Sequence, residues 1–90
     1  MRDRIEKTLN RIACTVLNER TPIANDANVT ELGADSLDMI EMIMGIEEEF
    51  RMEIPDADAE RLLTINQMTD YLIEHKDEIY TNTDWVSKDI

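Results

Sequence analysis

The sequence predicts an all-α fold, a small four-helix bundle with three longer helices, one short third helix and a long first loop. Apolar residues recur at helical spacing in three separate segments. Two glycines and two prolines leave little room for the turns of an all-β fold. Ninety residues with 42% hydrophobic content provide one modest core, built mostly from aliphatic side chains and methionine.

A first helix is predicted over about residues 3–18, because four apolar residues recur as a single stripe: Ile5, Leu9, Ile12 and Val16. Cys14 lies roughly opposite this stripe, so we expect it to face solvent as an incidental thiol. It is the only cysteine of the chain, which rules out an internal disulfide and a thiolate zinc site.

The long first connection is predicted over residues 21–34. Its turn-forming residues are Pro22, Asn25, Asp26, Asn28 and Gly33. One brief helical turn is expected at residues 30–32, with Val29 and Leu32 holding the loop against the core.

The second helix is predicted from Ser36 to about Arg51, because Asp35 is a good N-cap and Asp38 can complete a capping box. Gly33 permits the tight turn before it. The residues expected to face inward are Met39, Ile40, Met42, Ile43, Ile46 and Phe50. The residues expected on the open side or its margin are Asp35, Leu37, Asp38, Glu41, Met44, Glu47 and Glu48.

Pro55 interrupts the helical pattern, and a short third helix capped by Asp56 or Asp58 is expected to end near Leu62 and Leu63. Thr64 can cap the last helix, whose apolar face is predicted to comprise Ile65, Met68, Tyr71, Leu72 and Ile79.

The chain is expected to form one domain over residues 1–80. Residues 81–90, which include Trp85, are expected to be a polar C-terminal tail of uncertain order. His75 is predicted to be a helix-end residue rather than a catalyst.

The formal net charge of −12 is large for a chain of this size. It argues against nucleic acid and anionic membranes as partners and favours partners with basic docking surfaces. Residues 1–20 hold five basic and three acidic residues, so the acidic excess lies in the remaining seventy. No apolar run reaches membrane-spanning length and no signal peptide is recognised, so a cytoplasmic monomer is expected.

Ser36 could be a hydrolytic nucleophile, a phosphorylation site, an anchor for a prosthetic group or a helix cap. A hydrolase is disfavoured, because the chain lacks G-x-S-x-G and its single histidine lies in the last helix. A serine without a positioned base is unactivated, so any chemistry at Ser36 must be brought by another enzyme. No catalytic residue is predicted, and the residues alone favour a cap.

A calcium loop beginning at Asp56 is also rejected. Its first, third and fifth positions are acidic, but Arg61 stands at the sixth position and Gln67 at the twelfth, where glycine and glutamate are needed. No metal site is predicted.

Several blocks of sequence together resemble a known family. These blocks are Leu32-Gly33-Ala34-Asp35-Ser36-Leu37-Asp38, Glu47-Glu48-Glu49-Phe50 and Glu53-Ile54-Pro55-Asp56. In this order and at these separations they resemble the acyl carrier proteins of dissociated fatty acid and polyketide synthesis, over about residues 26–75. The resemblance implies a 4′-phosphopantetheine arm, derived from coenzyme A and attached covalently to Ser36, that carries acyl groups as thioesters.

The resemblance also implies partners. These are a phosphopantetheinyl transferase and the acyl-transfer, condensing and reducing enzymes of a synthetic pathway, whose basic patches would meet the residues predicted on the open side of the second helix. The family further implies a pocket for the acyl chain, lined here by Ile54, Ala59, Leu62 and Leu63. From the sequence alone these four are simply core residues.

The run over residues 26–32 is one residue shorter than the usual family loop, and Val29 stands where phenylalanine is common. This departure leaves the pathway open. The alternatives are a specialised polyketide, lipid or aminoacyl carrier, and an unmodified acidic helical adaptor that binds a basic partner.

Overall fold

The computed structural model describes residues 2–75, which form four helices. These are α1 (Arg2–Leu17), α2 (Ser36–Phe50), α3 (Asp56–Ala59) and α4 (Ile65–Glu74). Helix α1 packs against both α2 and α4. The all-α prediction, with three longer helices, a short third one and a long first connection, is confirmed. The predictions for Ile79, Trp85 and the tail over residues 81–90 lie outside the described residues.

The apolar stripe of α1 faces the core as predicted. Ile5, Leu9 and Ile12 are buried, whereas Val16 at the last turn is half-buried. The prediction that Cys14 faces solvent is wrong. Its side chain is half-buried, because the connection after α1 folds back over it and brings the carbonyl oxygen of Thr21 to 3.5 Å from its sulfur.

Asn10 fastens the first connection to α1. Its Nδ2 donates to the carbonyl oxygen of Ile23 at 2.7 Å, and its Oδ1 accepts the backbone N–H of Ile23 at 3.0 Å. The same Oδ1 accepts the thiol of Cys14 at 3.2 Å. One amide side chain therefore satisfies both backbone groups of a buried loop residue.

Replacing Asn10 with alanine is expected to lower the free energy of unfolding by about 1–3 kcal/mol, because both backbone groups of Ile23 lose their partner where water has little access. Urea unfolding followed by circular dichroism measures the change. Lys7→Ala, at an exposed position of the same helix, is the control and should change the stability little. An Asn10→Ala variant as stable as the control would contradict this role.

Two residues were predicted to anchor the middle of the connection, and only Val29 does so. Val29 is fully buried, and its N–H donates to the carbonyl oxygen of Leu63 at 2.9 Å. Leu32 is 42% exposed, so its predicted anchoring is wrong. The turn at residues 30–32 is present, and it directs Leu32 outward while the N–H of Leu32 bonds the carbonyl oxygen of Val29.

Helix α2 presents a narrower buried face than predicted. Met42, Ile46 and Phe50 are buried, while Met39 and Ile43 are half-buried. Ile40 is 55% exposed, which corrects its inward assignment. At about 100° per residue, it lies about 120° around the helix from the middle of the buried stripe of Met42, Ile46 and Phe50.

Gly45 explains how closely α1 approaches α2. A Cβ atom built at Gly45 would lie 3.0 Å from Cγ2 of Ile12, closer than most side chains tolerate. The close approach fixes which side of α2 is buried. The helix ends at Phe50, and Arg51 follows as its C-cap in the left-handed conformation with φ 53°.

The third helix is shorter than predicted and has no acidic cap. It spans four residues from Asp56, its N-cap is Pro55 without a side-chain hydrogen bond, and turns continue to Leu62. The carboxylate of Asp58 is engaged elsewhere, since it accepts from Arg61 at 3.0 Å and from the hydroxyl of Tyr71 at 2.9 Å. No group of three potential metal ligands is found within residues 2–75.

Helix α4 begins as predicted. Thr64 is its N-cap and forms a capping box with Gln67. Its buried residues include Ile65, Met68 and Leu72. His75 is the C-cap, stacked on Tyr71 with ring centroids 4.1 Å apart, which confirms its place at the helix end.

Two basic residues of α1 form ion pairs with acidic residues of other helices. Arg2 contacts Asp70 of α4 at 2.9 Å, and Arg11 contacts Glu49 of α2 at the same distance. The hydrogen bond to Asp70 raises the pKa of the Arg2 guanidinium above its usual value. Among residues 2–75, no helix is long and apolar enough to cross a bilayer.

Candidate functional site

Ser36 is the first residue of α2 and is exposed. The cap before it is made by aspartates, as predicted. Oδ1 of Asp35 accepts the N–H of Asp38 at 2.9 Å, and Oδ2 of Asp38 accepts the N–H of Asp35 at 3.2 Å. Because Asp35 is the cap, the hydroxyl of Ser36 is left for another use.

The turn that delivers the chain to Ser36 depends on Gly33. Its φ of 103° lies in a region of backbone conformation that residues with a Cβ atom rarely adopt. The N–H of Ala34 then bonds the carbonyl oxygen of Val29 at 3.2 Å, which ties the turn to the buried loop anchor. The position of Ser36 is therefore set from both sides, by the loop and by the capping box.

The first turn of α2 contains backbone N–H groups that are not hydrogen-bonded within the helix. Within residues 2–75, the N–H groups of Ser36 and Leu37 have no hydrogen-bond partner, as expected at a helix N-terminus. Such groups and the helix dipole favour an anionic substituent nearby. A phosphate ester on Ser36 fits this position, although Asp35 and Asp38 add negative charge.

Among residues 2–75, no base contacts the hydroxyl of Ser36. Its hydroxyl makes no hydrogen bond within the described chain, and Nδ1 of His75 lies 2.8 Å from the carbonyl oxygen of Tyr71. The hydroxyl is thus an accessible but unactivated nucleophile.

An apolar groove of about 550 Å³ lies between α2 and the segment around α3, with Ser36 in its lining. The wall from α2 comprises Met39, Ile40, Ile43 and Met44. The opposite wall includes Ile54, Ala59 and Leu63, three of the four residues predicted for an acyl pocket. Leu62 does not line the groove and belongs to the core cluster instead.

The α2 wall of this groove was missed by the sequence analysis, which assigned Met39, Ile40 and Ile43 to the core. A signal was present in the sequence. Apolar residues of α2 extend from Leu37 to Phe50 over too wide an arc for one buried stripe. An arc of that width indicates a second apolar surface beside the core.

The structure separates the residues predicted for partner docking into two groups. Leu37 and Met44 are 61% and 53% exposed, and Asp35, Glu41 and Glu48 are exposed too. Asp38 and Glu47 are half-buried and bonded within the chain. Glu41 and Glu48 have no ion-pair partner among the described residues.

Comparison with known proteins agrees with this site. A family model described as a phosphopantetheine attachment site matches residues 7–72, which run from α1 into α4 and include Ser36. An acyl carrier protein of Cyanidioschyzon merolae (strain NIES-3377 / 10D) is 49% identical over 65 residues, which is 71% of each chain.

Proposed function

This chain belongs to the acyl carrier protein family, and we propose that Ser36 is the residue that receives its 4′-phosphopantetheine arm. Members of this family are carriers rather than enzymes, and phosphopantetheine is their cofactor. The observation that carries the proposal is the exposed hydroxyl of Ser36, placed on the first turn of α2 and in the lining of an apolar groove.

The residues around Ser36 suit an arm attached through phosphate. The open N–H groups of the first turn favour the negative charge of the phosphate, and the capping box holds α2 in place without using the serine. When attached, the arm supplies a terminal thiol that holds acyl groups as thioesters on a flexible tether. The protein contributes a docking surface for partner enzymes and a groove for the acyl chain.

The cargo we propose is an acyl chain of fatty acid or polyketide synthesis. The groove beside Ser36 supports this, because seven of its lining residues are apolar: Met39, Ile40, Ile43, Met44, Ile54, Ala59 and Leu63. Burying a methylene group in such a lining contributes roughly 0.8 kcal/mol. We propose residues 1–80 as the carrier domain, which the match over residues 7–72 supports.

The proposed docking surface is a stripe along α2, comprising Leu37, Glu41, Met44 and Glu48. These residues recur at helical spacing, and all four are exposed. Two apolar anchors thus alternate with two carboxylates that lack ion-pair partners among residues 2–75. The partners that fit are the phosphopantetheinyl transferase and the acyl-transfer, condensing and reducing enzymes, each with a basic patch that steers the encounter.

Reversing the charge at Glu41 and Glu48 to lysine is expected to lower kcat/KM for loading by about tenfold to a hundredfold at low salt, because weak attractions at two exposed positions become repulsions. The measurement is the transferase rate at several protein concentrations. The defect should shrink at high salt, where exposed charges are screened.

The matched control reverses Glu19 and Glu74, which are exposed away from α2 and change the net charge equally. If this control loads as slowly as the Glu41 and Glu48 variant, net charge alone matters and the docking stripe is refuted.

The site of attachment is tested by incubating the protein with coenzyme A, magnesium and a broad-specificity phosphopantetheinyl transferase. Trypsin then releases residues 21–51, a peptide with no internal lysine or arginine, in which Ser36 is the sole serine. We expect fragmentation to place one phosphopantetheine on Ser36. A label on another residue, or no label on a folded protein, would overturn the proposal.

A further inference from the structure

The two walls of the apolar groove are built differently. One wall is a face of α2, a continuous helix of fifteen residues. The other combines Ile54, the four-residue helix α3 and Leu63, and none of the residues of α3 is buried. The shape of the groove therefore depends on what holds the second wall in place.

The far end of that wall is held by backbone and capping contacts. The N–H of Leu63 donates to Oε1 of Gln67 at 2.9 Å, and its carbonyl oxygen accepts the N–H of Val29 at 2.9 Å. The hydroxyl of Tyr71 adds a bond to Asp58 of α3. These contacts fix the side of the wall that adjoins α4.

The near end is held by one residue of α2, Glu47. Its Oε2 accepts the N–H of Ile54 at 2.9 Å. Its carbonyl oxygen also accepts the N–H groups of Arg51 and Met52, the latter at 3.2 Å. Glu47 thus accepts hydrogen bonds from three N–H groups of the segment that leads into the second wall. Its side chain also lines the groove.

We propose that Glu47 is a positioning residue for the acyl groove. Its carboxylate holds Ile54 in place and thereby sets the length of acyl chain that the groove shelters best. This inference rests on the proposed function. A hydrogen bond from a backbone N–H to a charged carboxylate is stronger than one to a neutral acceptor. Without it, the backbone at Ile54 can move away from α2, so the groove widens at that end, admits more of a long acyl chain and shifts its best fit towards longer chains.

Two substitutions separate this role from docking by charge. Glu47→Asp keeps the net charge but shortens the side chain by one methylene, so it cannot reach Ile54. Glu47→Gln removes the charge but keeps an oxygen at the same reach. Glu74→Gln, on the exposed side of α4, controls for the loss of one charge.

The first readout is amide hydrogen exchange at Ile54 in the protein before any arm is attached. We expect exchange about tenfold or more faster in Glu47→Asp than in wild type, with Glu47→Gln closer to wild type. Glu74→Gln should match wild type. Unchanged exchange in Glu47→Asp would overturn the proposal. Should that variant fail to fold, Glu47→Met, of similar length but without an oxygen, supplies the same comparison.

The second readout is the rate at which hydroxylamine cleaves acyl thioesters on the loaded protein, measured against acyl chain length. We expect the most protected length to become longer in Glu47→Asp and to stay near the wild-type length in Glu47→Gln. The reverse pattern would assign Glu47 to charge recognition and overturn the positioning role. Failure of Ser36 to load would refute the proposed function, and the acyl selectivity with it, whereas the exchange result is independent of loading.

Discussion

Substituting alanine for Ser36 is expected to abolish loading of the phosphopantetheine arm while the protein stays folded. Alanine removes the side-chain oxygen that we propose forms the phosphate ester. It leaves the capping box of Asp35 and Asp38 intact and is itself a good helix former. Intact-protein mass spectrometry after treatment with coenzyme A and transferase should therefore show no mass gain, and circular dichroism should show unchanged helix content.

Two control variants make this result specific. Ser87→Ala removes the other serine of the chain, and Cys14→Ala removes its single thiol. Both should gain one phosphopantetheine at the wild-type rate. A mass gain in Ser36→Ala that persists in the folded protein would place the attachment elsewhere and contradict the assignment.

Replacing Phe50 with alanine is expected to lower the free energy of unfolding by about 3–5 kcal/mol, the range for removing a large aromatic side chain from a core. Phe50 is the one phenylalanine of the chain and is fully buried at the end of α2. A domain of this size has a total stability only modestly above such a loss, about 5–15 kcal/mol. Urea unfolding measures the change.

Leu37→Ala is the matched control for stability, since it truncates an apolar residue of the same helix that is 61% exposed. We expect that variant to unfold at nearly the wild-type urea concentration. Similar losses in both variants would show that Phe50 does not have the central place in the core that its burial indicates.

Features with local causes were predicted well from the sequence. The capping boxes that begin α2 and α4 depend on residues three apart, Asp35 with Asp38 and Thr64 with Gln67, so the sequence contains all the information they need. The helical start at Ser36 follows from the first of these boxes. The candidate attachment residue was identified through the family resemblance of the blocks around it, because the residues alone favoured a cap.

Features that depend on how helices pack were predicted less well. Periodicity shows that α2 has a wide apolar arc, but the part that is buried depends on where α1 approaches, close to Gly45. Ile40 was therefore placed in the core, although it lines the groove. Leu32 is exposed because the turn at residues 30–32 directs it outward, whereas Val29 is buried.

Glu47 is a charged residue whose role likewise depends on a contact between segments that are packed together. Its place in an acidic run predicted a docking role, as for Glu48. Its bond to the N–H of Ile54 spans a helix end and a left-handed residue, Arg51, and no sequence pattern marks that contact. The sequence therefore predicted which residues form this wall of the groove, but not the hydrogen bond that holds the wall in place.

We propose that this protein carries acyl groups as thioesters on an arm attached to Ser36. The most direct test of this function uses the transferase with an acyl-coenzyme A as donor, followed by intact-protein mass spectrometry before and after neutral hydroxylamine. We predict a gain of one acyl-phosphopantetheine, from which hydroxylamine removes the acyl group and leaves the arm. A folded protein that gains no mass, or an acyl group that resists hydroxylamine, would refute this function.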